Sequence, residues 1–342
     1  MATIKDVAAL AGISYTTVSH VLNKTRPVSE QVRLKVEAAI VELDYVPSAV
    51  ARSLKARSTA TIGLLVPNSV NPYFAELARG IEDSCERNGY CVILCNSDDN
   101  PQKQRSYLRV LLEKRIDGLV VASVGEDSDL LQSLACVRTP MVIVDRALEG
   151  VNADIVRIDH EQGAYLATQH LLELGHRDIA YIGGPAETGV TQLRLAGYRR
   201  ALAEAGAQVA DNRVLHCDFT SPGGHAAAVR LLDGPRPTAI FAGNDMIGFG
   251  VLRAAAERNI SVPGELSVIG FDDIELSRYV YPPLTTVGQS IRELGESAAE
   301  LLLSRIAKPR QEATQAEQRI VAPRIVMRES TGPRPDLFND YR

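Results

Sequence analysis

The stretch TIKDVAALAGISYTTVSHVLN, residues 3–23, decides how this chain is read. Ile4, Val7, Ala8, Leu10 and Ala11 recur at the spacing of one helix face. Gly12 interrupts the pattern, and Ser14 is placed to cap a second helix that buries Val18, Val21 and Leu22. Two short helices joined by a tight glycine-containing turn form a helix-turn-helix, whose second helix enters the DNA major groove. Away from Val18 and Leu22 stand Tyr15, Thr16, Thr17, Ser19, His20 and Asn23, polar side chains suited to base edges and phosphates. The plainer reading is a helical hairpin with an ordinary solvated face, and on this stretch alone it stays open.

Working outward, Lys24-Thr25-Arg26-Pro27 is a basic turn, and Ser29 caps a third helix with Val32, Val36, Ala39, Ile40 and Leu43 inward. This closes a three-helix head over residues 1–46, small for an independent core. Residues 47–60 read as hinge and linker. Their segment SAVARSLK (48–55) has helical potential but too little apolar face to hold a helix in water. It is expected to be helical only against DNA or a twin chain.

Charge supports a DNA-facing end. The whole chain carries a net −5, yet in residues 1–60 eight Lys and Arg stand against five Asp and Glu, leaving about −8 for the remainder. A basic head on an acidic body keeps phosphate attraction local.

From Thr61 onward apolar strand candidates alternate with amphipathic helices: 61–67, 91–97, 118–123, 141–145, 154–159, 179–184, 239–245 and 266–273. That alternation predicts a doubly wound α/β body with parallel sheets covered on both faces. Many of the strands end in polar residues, Asn68, Asp145, Asn244 and Asp272 among them. Ligands of open α/β sheets bind beyond the strand carboxyl ends, so the body is expected to hold a polar small molecule.

Other classes find little support. The chain shows no charged-then-apolar leader and no apolar run near the roughly 18 residues of a membrane span. A cytoplasmic protein without a membrane partner is therefore expected. Cys85, Cys91, Cys95, Cys136 and Cys217 are odd in number and form no CxxC pair. Cys91 and Cys95 bracket CVILC, which reads as a buried strand, and all five read as reduced core thiols without metal. An Asp145–Asp272 acid–base pair can be imagined, but no nucleophile elbow, Walker loop, metal-spaced histidine pair or dinucleotide fingerprint accompanies it. The glycines of GGPAETG (183–189) have the wrong spacing, and the histidines at 20, 160, 170, 176, 216 and 225 are scattered. No enzyme activity, cofactor or metal is expected. A periplasmic sugar-binding protein would suit the body alone, but not the head.

Over essentially its full length the chain resembles the LacI/GalR family of bacterial transcription repressors. The carriers are IKDVAALAGISYTTVSHVLN, LDYVPSAVARSLK, NPYF, VDR, GHRDIAYIGG, RLAGYR, PTAIFAGND, VPGELSVIGFDDIE and PPLTTVGQ, in that order. The resemblance implies a homodimer whose two heads read the half-sites of a pseudo-palindromic double-stranded operator. Tyr15, Thr16 and His20 match base-facing positions, and Thr17, Ser19, Asn23 and Ser29 match phosphate-positioning ones. Leu54 matches the residue that wedges into the minor groove, with Arg52 and Lys55 beside it; its plainer role is a leucine capping the head. The absence of a leucine-heptad tail after Arg328 favours a dimer over a larger assembly.

The resemblance further implies a two-lobed, periplasmic-binding-protein-like body at 61–330. The first lobe is expected to take 61–159 and 290–318, the second 160–289 and 319–330, with 331–342 as a tail. At the strand ends the chain looks like ribose-binding proteins and ribose repressors. Asn71, Tyr73 and Phe74 match a ring-facing cluster and Asp145 and Arg146 a polar pair, while Arg194, Phe219, Asn244, Asp272 and Gln289 complete the set. Sugar hydroxyls both donate and accept, and sugar C–H faces suit aromatic walls. Singly, the aspartates read equally as helix caps, Arg194 as a surface pair, Asn244 as a turn residue and the aromatics as core. The purine-repressor branch shares Tyr73, Phe74, Arg194, Phe219, Asp272 and the terminal FNDYR, but places an indole where Arg146 stands. This chain has no tryptophan. The expected effector is therefore a small sugar, D-ribose, that releases the repressor, with a purine corepressor as the alternative.

Overall fold

The computed structural model describes residues 2–23, 25–46, 58–122, 128–145, 148, 150–207, 210–308 and 315–335. The chain divides into two compact units, Met1–Thr59 and Ala60–Arg342. Leu54, Arg52 and Lys55 of the expected hinge and Arg146 of the expected cleft lie outside the described residues.

In the first unit, α1 (Ile4–Ala11) starts at Thr3, which forms a reciprocal capping box with Asp6. It stops at Gly12, whose left-handed φ of 68° a glycine adopts without strain. α2 (Tyr15–Asn23) and α3 (Glu30–Glu42) follow. Val7, Ala8, Val18, Val36 and Ala39 are buried together, with Ile4, Ala11, Val21, Leu22, Ile40 and Tyr45 packed around them. Leu10 departs from expectation: it is 45% exposed. On a 100°-per-residue wheel it stands more than a quarter-turn off the line through Ile4, Val7 and Ala11.

The second unit holds two six-stranded sheets. The first runs β2-β1-β3-β4-β5-β11, from β1 (Thr61–Val66), β2 (Cys91–Asn96), β3 (Gly118–Ala122), β4 (Met141–Val144), β5 (Asp154–Ile158) and β11 (Gln318–Val321), all parallel. One face is covered by α4 (Pro72–Arg87) and α11 (Ile291–Ala307), the other by α5 (Pro101–Glu113) and α6 (Ser128–Ala135). α4 and α11 approach closely because both are glycine at the crossing: a Cβ on Gly80 would stand 2.3 Å from the Arg292 carbonyl oxygen.

The second sheet runs β7-β6-β8-β9-β10-β12. Its strands are β6 (Ile179–Gly183), β7 (Val214–His216), β8 (Ala239–Ala242), β9 (Ser267–Asp272), β10 (Thr285–Gly288) and β12 (Arg324–Val326). The helices α7 (His160–Glu173) and α8 (Gly189–Glu204) cover one face; α9 (Ser221–Leu232) and α10 (Asp245–Glu257) cover the other.

Four features differ from the sequence reading. β2 is an edge strand with Cys91 exposed, not a buried strand; Cys136 is exposed too, so the thiols are not uniformly core. β11 pairs with β5, so the last crossing falls after Val321 and residues 319–321 belong to the first lobe. β12 is antiparallel to β10. The parallel strands end at the cleft between the lobes. A strand entering the second sheet straight from the cleft must therefore run away from it. Finally, part of the expected tail is docked: the Gly332 N–H donates to Ser267 Oγ (3.0 Å) and that of Arg334 to the Leu174 carbonyl (3.0 Å).

Candidate functional site

The outer face of α2 is built from the first turn outward. Ser14 Oγ accepts the Thr17 N–H at 3.1 Å, which caps the helix and leaves Tyr15 62% exposed with Thr16 beside it. His20 Nδ1 meets Thr25 Oγ1 at 2.7 Å, and Asn23 Nδ2 donates to the Ser19 carbonyl at 2.8 Å. Ser29 caps α3 through the Val32 N–H. The helix thus presents short polar groups held by local bonds. Its amino end carries the partial positive charge and N–H groups that attract phosphate.

In the second unit, the strand carboxyl ends surround a cavity of about 650 Å³. Asn71, Tyr73, Phe74, Asp145, Arg194, Phe219, Asn244 and Asp272 all line it. Gln289 stands behind, donating from Nε2 to Asp272 Oδ1. Two of the lining residues are also helix caps. Asn71 Oδ1 caps α4 through the Tyr73 N–H at 3.1 Å, and Asn244 Oδ1 caps α10 through the Ile247 N–H at 2.9 Å. Capping and lining are compatible, because both residues sit where a strand end turns into a helix.

The floor is charged and buried. Arg194 is 4% exposed: Nη1 donates to the Gly243 carbonyl at 2.5 Å, Nη2 lies 3.4 Å from Asp272 Oδ1, and the guanidinium sits 3.9 Å over the Phe271 ring. Burial pushes the Asp272 carboxyl well above the usual carboxylate range, against the pull of Arg194. Burial, with Asp145 beside it, likewise raises the Tyr73 hydroxyl. Asp145 and Asp272 adopt positive φ, 83° and 118°, which side-chain-bearing residues rarely hold. Such strain collects where a binding site over-determines the backbone.

The walls are aromatic. Phe74 meets Tyr73 edge-on with ring centroids 5.0 Å apart. Phe219 occupies the space a side chain at 184 would need, since a Cβ on Gly184 would stand 2.1 Å from its ring.

Sequence reasoning missed His160. In the body, histidines are weighed there only for metal spacing, and among the described residues no His, Cys, Asp and Glu group stands close enough to hold a metal. His160 Nε2 lies 2.8 Å from Asp145 Oδ1, with the imidazole fully buried. The available signal was its place directly after a strand ending in Asp159, the same logic that selects Asp145 and Asp272. Glu187, Thr188, Asp218 and Thr220 also line the cavity from loops without a motif of their own.

Comparison with known proteins matches both units. Residues 3–48 match the bacterial regulatory proteins of the lacI family, and residues 59–326 match the periplasmic binding proteins and sugar binding domain of LacI family. The chain belongs to the LacI family. It is a DNA-binding transcriptional repressor with a helix-turn-helix head and a two-lobed α/β body, and this family is non-enzymatic. A LacI-family relative, the HTH-type transcriptional repressor PurR of Photobacterium profundum, is 45% identical over 96% of this chain and 98% of its own. The ribose operon repressor of Escherichia coli K12 is 44% identical over the same shares. Among solved LacI-family structures, the lac repressor dimer bound to operator and the anti-inducer ONPF superposes with a TM-score of 0.86. It is 30% identical, over 97% of this chain and 99% of that one. Among the described residues, no helix is long and apolar enough to cross a membrane.

Proposed function

We propose that this repressor is a cytoplasmic homodimer that reads a pseudo-palindromic operator and is released by D-ribose. Tyr15, Thr16 and His20 read bases, while Thr17, Ser19, Asn23 and Ser29 position phosphates. Leu54, flanked by Arg52 and Lys55, wedges into the minor groove at the operator centre. Asn71, Tyr73, Phe74, Asp145, Arg146, Arg194, Phe219, Asn244, Asp272 and Gln289 form the effector site. The observation that carries the sugar reading is the cleft floor. Asp145, Asp272 and the buried Arg194 line one cavity with the rings of Phe74 and Phe219, and Arg194 Nη2 lies 3.4 Å from Asp272 Oδ1. Alternating acceptors and donors suit ring hydroxyls, and the aromatic walls suit the ring's C–H faces.

Ribose binding would close the two lobes and lower operator affinity. A coupling of about 1–3 kcal/mol gives a 5–150-fold switch. The second reading, a purine corepressor, is favoured by the Tyr73–Phe74 and Phe219 rings and by relatives carrying the PurR name at equal identity.

Calorimetric titration with D-ribose, hypoxanthine and guanine, alongside operator binding with and without each, separates the two. Ribose heat with weakened operator binding supports the inducer. Purine heat with tightened operator binding replaces it by the corepressor.

A further inference from the structure

We propose that His160 is a positioning residue of the effector cleft, a neutral imidazole that donates from Nε2 to Asp145 and accepts at Nδ1 from Arg194. The inference rests on the cleft being the effector site. It assigns that site a fixed donor–acceptor order suited to a hydroxyl-bearing ligand.

The geometry carries it. His160 Nε2 lies 2.8 Å from Asp145 Oδ1 and 3.2 Å from the Asp145 carbonyl oxygen, while Nδ1 lies 3.4 Å from Arg194 Nη2. The imidazole is fully buried, so no water is at hand to satisfy it. A guanidinium can only donate, and the Asp145 backbone carbonyl oxygen can only accept. Of the three states of the ring, only the neutral Nε2–H tautomer satisfies both neighbours. The other tautomer points a donor at Arg194 and a lone pair at Asp145. The imidazolium satisfies Asp145 but sets a donor and a positive charge against Arg194. The first turn of α7, whose amino end disfavours a cation, adds to that penalty.

The ring joins the lobes. Asp145 ends β4 of the first, whereas His160 opens α7 and Arg194 lies on α8 of the second. Both contacts of Nε2 fall on one residue, so the imidazole braces side chain and backbone of Asp145 at its strained φ of 83°. Among the described residues, the charged groups facing the ring are Asp145, Arg194 and, through Arg194, Asp272; the Tyr73 hydroxyl meets Asp145 Oδ1 at 3.5 Å. With Asp145 and Asp272 both lining the cleft, carboxyl oxygens face the ligand and suit hydroxyl donors.

Glutamine tests this, because its amide oxygen and nitrogen are spaced like Nδ1 and Nε2 and do not titrate. In the full-length protein with 15N-labelled histidine, the signal lost in His160→Gln is expected to show the Nε2–H tautomer at pH 7. An Nδ1–H tautomer or an imidazolium there overturns the proposal. At pH 7, D-ribose affinity is expected to be largely retained in His160→Gln, which keeps one donor and one acceptor, and to be lost in His160→Leu, which still binds operator. Equal losses in the two variants overturn the role. A wild type silent to D-ribose strikes the effector assignment instead, and the tautomer measurement then decides His160 by itself.

Discussion

On α2 the polar side chains stand at the surface and bond within their own turn, whereas on the cleft floor they are buried and bonded across elements far apart in sequence. Thr17 answers to Ser14 and Asn23 to Ser19, partners three and four residues away. Arg194 answers to Gly243 and Asp272, and Asp145 to His160, from different strands and helices. The difference teaches how each surface can be used. An operator supplies its own fixed pattern of base edges, so the head needs only exposed groups on a rigid helix. A small ligand supplies few contacts, so the cleft must hold its polar groups in place beforehand. Removing a side chain should therefore cost stability in one region and only recognition in the other.

The largest effect is expected from Arg194→Ala. It leaves the Gly243 carbonyl and the Asp272 carboxyl without their buried donor, and each unmet buried group costs about 1–3 kcal/mol. Denaturant melts of the full chain should show that loss, with ribose heat abolished. A stable variant that merely binds ribose more weakly would mean the floor is less preorganised than its burial implies.

Tyr15→Ala sharpens the contrast from the other side. Its side chain is largely exposed, so stability is expected to stay within about 0.5 kcal/mol. Losing a base-reading contact costs about 1–3 kcal/mol, roughly 5–150-fold in operator affinity. Gel-shift titration against operator and scrambled duplexes checks it. Equal losses on both would make Tyr15 a general DNA contact and weaken the contrast.

The same contrast explains what was legible in the sequence. The head could be read almost entirely, because its determinants are local: the Ser14 and Ser29 caps, the Gly12 turn and the 3.6-residue stripe through Val7 and Val18. Leu10 misled only by its sequence neighbourhood. In the body, strands ending in Asn or Asp flagged the cleft, and the long apolar ones were visible. The short strands at 214–216, 285–288, 318–321 and 324–326 were not, since three or four residues with Thr, Gln, His or Arg carry no clear period. Nor could spacing show that edge position would expose Cys91, or that residues 145, 160 and 194 would meet. These facts belong to tertiary pairing.

The smallest predicted effect lies away from both surfaces and asks whether the body's rigidity depends on pH. His176 is fully buried under the docked tail, with Nδ1 2.9 Å from Thr238 Oγ1 and Nε2 3.0 Å from both Ser267 Oγ and the Gly332 carbonyl. Burial lowers its pKa below the ordinary 6.5, outweighing the Gly332 carbonyl, and lowers that of His170 in the same way. The unfolded chain then binds more protons than the folded one below pH 6.5. The contribution of these histidines is thus complete above that value and is lost as pH falls. Asp245 works in the opposite sense: burial lifts it to about 7, so the native state holds its proton longer than the unfolded chain does. The net slope mixes the two, and the informative quantity is a difference between variants. Between pH 7.5 and 5.5 the melting temperature of His176→Gln is expected to fall by a few degrees less than that of the wild type, with the Asp245 contribution common to both. Identical slopes would mean that the tail loosens from His176 before the ring takes its proton.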